Sequence, residues 1–137
     1  MKKFLSILML SVLLLTTCLP AAVAEVDPRS SHFFHSYGIY LYDVGNQQLQ
    51  IIFSVNALGL ASEVGVLQYV VQQETSDGWV NVATAYGTCS YNAFAHTFSH
   101  TWNAYAGKTY RVLAVFTCTI DGETGLHKLV SSSTTIH

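Results

Sequence analysis

From residue 48 to 57 apolar and polar positions alternate: Leu49, Ile51, Phe53, Val55 and Ala57 interleave with Gln48, Gln50, Ile52, Ser54 and Asn56. Successive side chains of a strand point to opposite faces, so, Ile52 apart, this is the pattern of a half-buried antiparallel strand. The longest clean strand signal comes later, over 107–118. There Tyr110, Val112, Ala114, Phe116 and Cys118 share one face, and Leu113, Val115 and Thr117 leave the other only half polar. A strand apolar on one side and nearly so on the other belongs in the middle of a sheet.

The remaining segments carry the same kind of signal. From His32 the chain reads as extended, with Tyr37, Ile39 and Leu41 on one face and Tyr40 and Tyr42 on the other; Gly45-Asn46 then marks a turn. The pattern breaks over 59–65 and resumes over 66–74, with Leu67, Tyr69 and Val71 toward the core and Gln68 and Gln72 outward. Ser76-Asp77-Gly78 predicts a hairpin turn leading into a strand over 79–86, which Gly87 ends. A loop over 88–93 holds Cys89, and Phe94, Phe98 and Trp102 share a parity across a fifth strand. After the central strand, Asp121-Gly122 predicts another hairpin, and 126–136 a closing strand rich in Ser and Thr.

Seven short strands with a turn signal every ten or so residues, and no amphipathic helix, predict an all-β domain. The expected architecture is a seven-stranded antiparallel immunoglobulin/fibronectin-III-like sandwich, with a small closed β-barrel as the alternative. Tyr110 strengthens the first reading. It opens the central strand just after a Gly-containing turn, as does the tyrosine of a tyrosine corner, whose hydroxyl ties back to upstream backbone.

The N-terminus carries a different message. Met1-Lys2-Lys3 is basic, an apolar run follows, and Ala22-Val23-Ala24 places small residues where a signal peptidase reads them, predicting a signal peptide over 1–24. The apolar run is short for a retained anchor that must cross about 30 Å of hydrocarbon. Lipidation at Cys18 is a further alternative, although Thr17 stands where such signals want a smaller residue. Residues 25–31, with Pro28, read as a flexible lead-in, and 32–137 as one domain. Without Lys2 and Lys3 the chain keeps four basic residues against eight acidic ones. Such a weakly acidic domain has no electrostatic footprint for nucleic acid or for anionic membrane.

An exported chain with two cysteines beyond the signal peptide invites a disulfide. A Cys89–Cys118 bridge would close a loop of about thirty residues and contribute about 3–4 kcal/mol on the chain-entropy model. The alternative is two unpaired thiols, with Cys118 a small core residue.

The order of small motifs resembles a family of small, exported, functionally uncharacterised proteins of Gram-positive, often gut-dwelling bacteria. The residues that carry the likeness are Gly45-Asn46, Ile52-Phe53-Ser54-Val55, Glu63-Val64-Gly65, Trp79, Tyr91-Asn92 with His96, and Gly107-Lys108-Thr109-Tyr110. Phe98, His100 and Trp102 depart from the family's plainer strand. The resemblance implies export and a β fold, and brings no activity with it.

Candidate chemistry is thin. His96 and His100 are four apart, which in a strand is about 13 Å and too far for two ligands of one ion. A cysteine nucleophile at Cys118 would need a nearby base, and its parity points inward. No Gly-x-Ser-x-Gly elbow and no spaced carboxylate pair is present. No cofactor is expected. The aromatics remain: Tyr40 and Tyr42 lie opposite the core face of the first strand, and with Trp79 form a candidate binding surface. The expected function is that of an exported, non-enzymatic module acting through its surface at the cell envelope or in the medium, on a protein or glycan partner. The alternatives are a carbohydrate-binding module using those aromatics and a thiol enzyme centred on Cys118. No wall-sorting motif precedes His137, so release is expected.

Overall fold

The computed structural model describes residues 32–137; the expected signal peptide, Cys18 and the 25–31 segment lie outside the described residues. The strands are β1 (Phe34–Asp43), β2 (Gln48–Thr75), β3 (Gly78–Tyr86), β4 (Cys89–Asn103), β5 (Thr109–Ile120), β6 (Glu123–Val130) and β7 (Thr134–Thr135). All pairings between them are antiparallel, as the alternation in the sequence requires.

β2 is the spine of the domain. Two strands are expected in its place, but the chain runs through 59–65 without leaving the sheet. Along one edge β2 pairs with β3 and then β4, from Thr75↔Gly78 back to Gln48↔Asn103. β3 and β4 are therefore the two parts of one long return strand, and the loop expected over 88–93 is mostly strand. Along the other edge β2 pairs first with β1 and then with β5. β5 in turn carries β6 and, at its start, β7.

Two irregularities let so long a strand curl. Residues 57–60 of β2 lie opposite the single residue Phe94 of β4, between the pairs Asn56↔Ala95 and Ala61↔Ala93. Leu67 is an extra residue against β5, between Val66↔Phe116 and Gln68↔Val115. The inward parity changes twice along this stretch: Val55 and Ala61 are buried, then Val64 and Val66, then, past the slip at Leu67, Tyr69 and Val71. Leu67, expected in the core, is consequently exposed. The curl is tight enough for Phe53 and Tyr69 of the same strand to meet, their ring centroids 4.8 Å apart. Sixteen extended residues would span about 50 Å.

The concave side of this curled sheet is the core. Leu49, Ile51, Phe53 and Val55 from β2 face Val112, Ala114, Phe116 and Cys118 from β5, all with essentially no exposed surface. Each large side chain so buried contributes about 1.5–3 kcal/mol. β5 lies between β2 and its partners β6 and β7, as its two apolar faces predict. Tyr110 is fully buried, and its hydroxyl accepts a hydrogen bond from the Tyr105 backbone N–H at 2.9 Å. The tie of this hydroxyl to upstream backbone is as expected from the sequence.

The expected closing strand is divided. After β6, Ser131 still bonds Val112 of β5, its N–H donating to the Val112 carbonyl at 2.8 Å and its hydroxyl accepting the Val112 N–H at 2.9 Å. β7 then returns to β5, and Ile136 is buried. His137 donates its N–H to Asp43 at 2.9 Å, tying the C-terminal residue to the end of β1. The Asp121-Gly122 hairpin has both residues at positive φ, 52° and 78°, as a two-residue turn between twisted strands requires.

Candidate functional site

Tyr40 and Tyr42 are neighbours on the convex face of the three strands β1, β2 and β4. Register places them in rows: Tyr42 beside Gln50 and Thr101, Tyr40 beside Ile52 and Ser99, Gly38 beside Ser54 and Thr97. Residues that pair across antiparallel strands point to the same side, so these side chains share one face. Both tyrosines are half-exposed, and Thr97, Ser99 and Thr101 are exposed.

The rows contain no charged residue. The nearest in sequence is Asp43 at the end of β1, which pairs with the buried Leu49 and so belongs to the other face. The His137 and Gly45 backbone amides hold the Asp43 carboxyl below its ordinary range, so it serves as an anchor for the C-terminal residue.

The Tyr40 ring has a defined pose. A Cβ added to Gly38 would fall 2.6 Å from Tyr40 Oη and 2.7 Å from its Cζ. The ring therefore runs back along β1 and lies over the glycine, which it buries. Aromatic cover of a strand glycine is a recurrent stabilising device in sheets. It leaves the opposite face of the ring toward solvent.

Trp79 does not join this strip. It pairs with Glu74 at the far end of β2, on the β3 edge, and the Arg111 guanidinium sits 4.3 Å from its ring centroid. Arg111 is itself fixed by a 2.8 Å hydrogen bond to Gln72, which donates to Asn81 at 2.8 Å. The indole face is thus already stacked within the domain.

The expected Cys89–Cys118 disulfide is not formed: both are free thiols. The reason is topological. Cys89 pairs with Gly65 on one edge of β2, and Cys118 pairs with Val64 on the other. With β2 between them their backbones are about 10 Å apart, beyond the reach of a bridge. The Cys118 sulfur is buried and donates to the Phe33 carbonyl at 3.5 Å, and burial pushes its thiol up. Burial, then the Glu63 carboxyl, push Cys89 up to about 11. Both environments favour the unreactive protonated form.

His96 also finds local partners. β4 turns at Asn92, whose φ is +49°, and this brings the imidazole back onto the start of its own strand. Its Nε2 lies 2.7 Å from the Thr88 hydroxyl and its Nδ1 2.7 Å from the Ser90 hydroxyl. A neutral ring can donate to one hydroxyl and accept from the other, and burial holds its pKa below the ordinary value. His100 lies further along β4, its ring centroid 6.2 Å from that of Tyr69. Among the described residues no cluster of three or more His, Cys, Asp or Glu is arranged to hold a metal ion.

Sequence reasoning found Tyr40 and Tyr42 but missed Thr97, Ser99 and Thr101 beside them. Their signal was present as the polar parity between Phe98, His100 and Trp102. What was missing was the knowledge that β1 and β4 flank the same stretch of β2.

The domain is thus all-β, built on one curled antiparallel sheet whose β1–β2–β4 part carries uncharged, tyrosine-bearing rows on its outer side. No protein-family model matches the chain, and no curated protein matches it. Among solved structures it is similar to one described as the crystal structure of a protein from Archaeoglobus fulgidus. The identity is 16%, the match covers 76% of this chain and 98% of that one, and the TM-score is 0.40. No helix among the described residues is long and apolar enough to cross a membrane.

Proposed function

We propose that this protein is an exported, non-enzymatic β module, of immunoglobulin-like sandwich type, that acts through its surface at the cell envelope or in the medium. The observation that carries this reading is the outer face of β1, β2 and β4. Its rows from Gly38 to Tyr42 carry no charge, and two adjacent half-exposed tyrosines stand there beside the exposed Thr97, Ser99 and Thr101. Binding functions are commonly carried by such surfaces on packed β scaffolds. The basic and apolar N-terminal pattern supports export, and the Tyr110 corner supports the immunoglobulin-like arrangement. The buried, protonated Cys118 thiol weighs against the thiol-enzyme alternative.

The test is expression of the full chain in a Gram-positive host, followed by fractionation and intact mass of the product. The expected product is found outside the membrane fraction with the mass of residues 25–137. Full-length or lipid-modified protein held in the membrane would overturn the reading.

A further inference from the structure

We propose that the outer face of β1, β2 and β4 binds a neutral polysaccharide laid across the strands, with Tyr40 as its stacking platform. This rests on the surface-module reading above and names the chemical class of its partner.

A sugar ring has two recognisable surfaces. One is an apolar C–H face, which packs on an aromatic face. The other is a rim of hydroxyls, each both donor and acceptor. The outer face of this sheet matches both. Tyr40 lies flat over Gly38 with its free face outward, and Tyr42 stands on the same face of β1 two residues on. Beside them Gln50, Ser54, Thr97 and Thr101 present amides and hydroxyls, which also donate and accept. Adjacent strands are about 4.8 Å apart and successive rows about 6.7 Å apart, so the polar groups recur at a spacing suited to an extended polymer.

Charge decides against other partners. The rows carry no cation for a phosphate- or carboxylate-bearing polymer and no anion for a basic one, so an uncharged partner is the electrostatically complementary one. A protein partner wants apolar anchors at the centre of its contact. Ile52 is the sole aliphatic side chain in these rows, and the exposed Leu58 and Leu60 lie beyond them at the bend of β2.

The test uses the protein released by a host expressing the full chain. Its migration is measured in native gels cast with soluble xylan, mannan, mixed-linkage glucan or amylose, with polygalacturonate as the charged control, at low and high salt; binding to insoluble cellulose is measured alongside. Retardation or binding by at least one neutral polymer, unchanged by salt, is expected. Tyr40→Ala should weaken it at least tenfold, in keeping with the loss of an aromatic anchor. Gly38→Ala should do likewise, because the atoms its Cβ would meet most closely are at the end of the Tyr40 side chain, which must shift. Trp79→Ala should leave binding unchanged. Failure of a folded, released protein to bind any neutral polymer overturns the platform while leaving the surface-module reading standing. So does binding that salt abolishes, or capture of a protein partner that Tyr40→Ala does not affect. Retention of the chain in the membrane fraction overturns the surface-module reading instead.

Discussion

The Tyr110 hydroxyl accepts the Tyr105 N–H at 2.9 Å from a ring with no exposed surface. The bond fastens the 104–108 turn to the start of β5, where Trp102 also packs edge-on against the same ring at 5.2 Å. Tyr110→Phe keeps the ring and orphans the amide. It should lower stability by about 1–2 kcal/mol in denaturant titration, with the folded-state circular dichroism unchanged. A variant as stable as wild type would show that water satisfies the amide equally well.

His96 gives stability a pH dependence of known sign. Its pKa is depressed in the folded protein by burial, and so is that of His127. The unfolded chain therefore takes up these protons first. Their contribution is whole above the ordinary histidine value of 6.5 and is lost as pH falls below it. Unfolding midpoints measured from pH 8 to pH 5 should fall over the acidic part of that range. The fall should be shallower in His96→Gln, and a midpoint that rises on acidification would contradict the assignment.

The thiols should be silent in the native state. Cys89 and Cys118 are separated by β2 and held protonated, so an alkylating agent at neutral pH should leave the folded protein unlabelled. Reduction should not change its mass, and both residues should label once it is unfolded. A mass shift on reduction would mean the two strands can rearrange around β2. One fast-labelling thiol would return Cys118 to consideration as a nucleophile.

The strand alternation of 48–57 and 107–118 was legible because each face of those segments meets one kind of environment. Leu49, Ile51, Phe53 and Val55 are buried as their spacing predicts. The middle of β2 was not legible, for a physical reason. Gly59 and Gly65 read as breakers, yet glycine within a strand can equally mark a bend or a close backbone approach. Gly65 is such an approach, with the Thr88 carbonyl and Cys89 where its side chain would be. Leu67 shares the parity of Tyr69 and Val71 in the sequence, and nothing local reveals that the ladder slips at that residue. The candidate face was half legible for a similar reason: parity put Tyr40 and Tyr42 outside, but which strands flank them depends on pairings some fifty residues apart, such as Gln50↔Thr101. The disulfide expectation failed on the same lateral order.

The long return strand has a consequence for how the chain acquires its shape. β2, β3 and β4 form a single zipper that starts at the Ser76-Asp77 turn and ends at Gln48↔Asn103. Closing that two-residue loop is the least demanding step in entropy, and each later pair forms beside one already made. The Thr75 hydroxyl sits at the start, accepting the Asp77 N–H at 3.2 Å and donating to the Gly78 carbonyl at 2.8 Å. Thr75→Ala should slow refolding in stopped-flow mixing with little change in the unfolding rate, whereas Trp102→Ala, at the far end, should mainly accelerate unfolding. The opposite pattern would put the nucleus at the β1 end. With growth from this turn, the strip that carries Tyr40 is completed only after the last pairs of β4 have closed, so the proposed sugar platform exists only on chains that have finished folding.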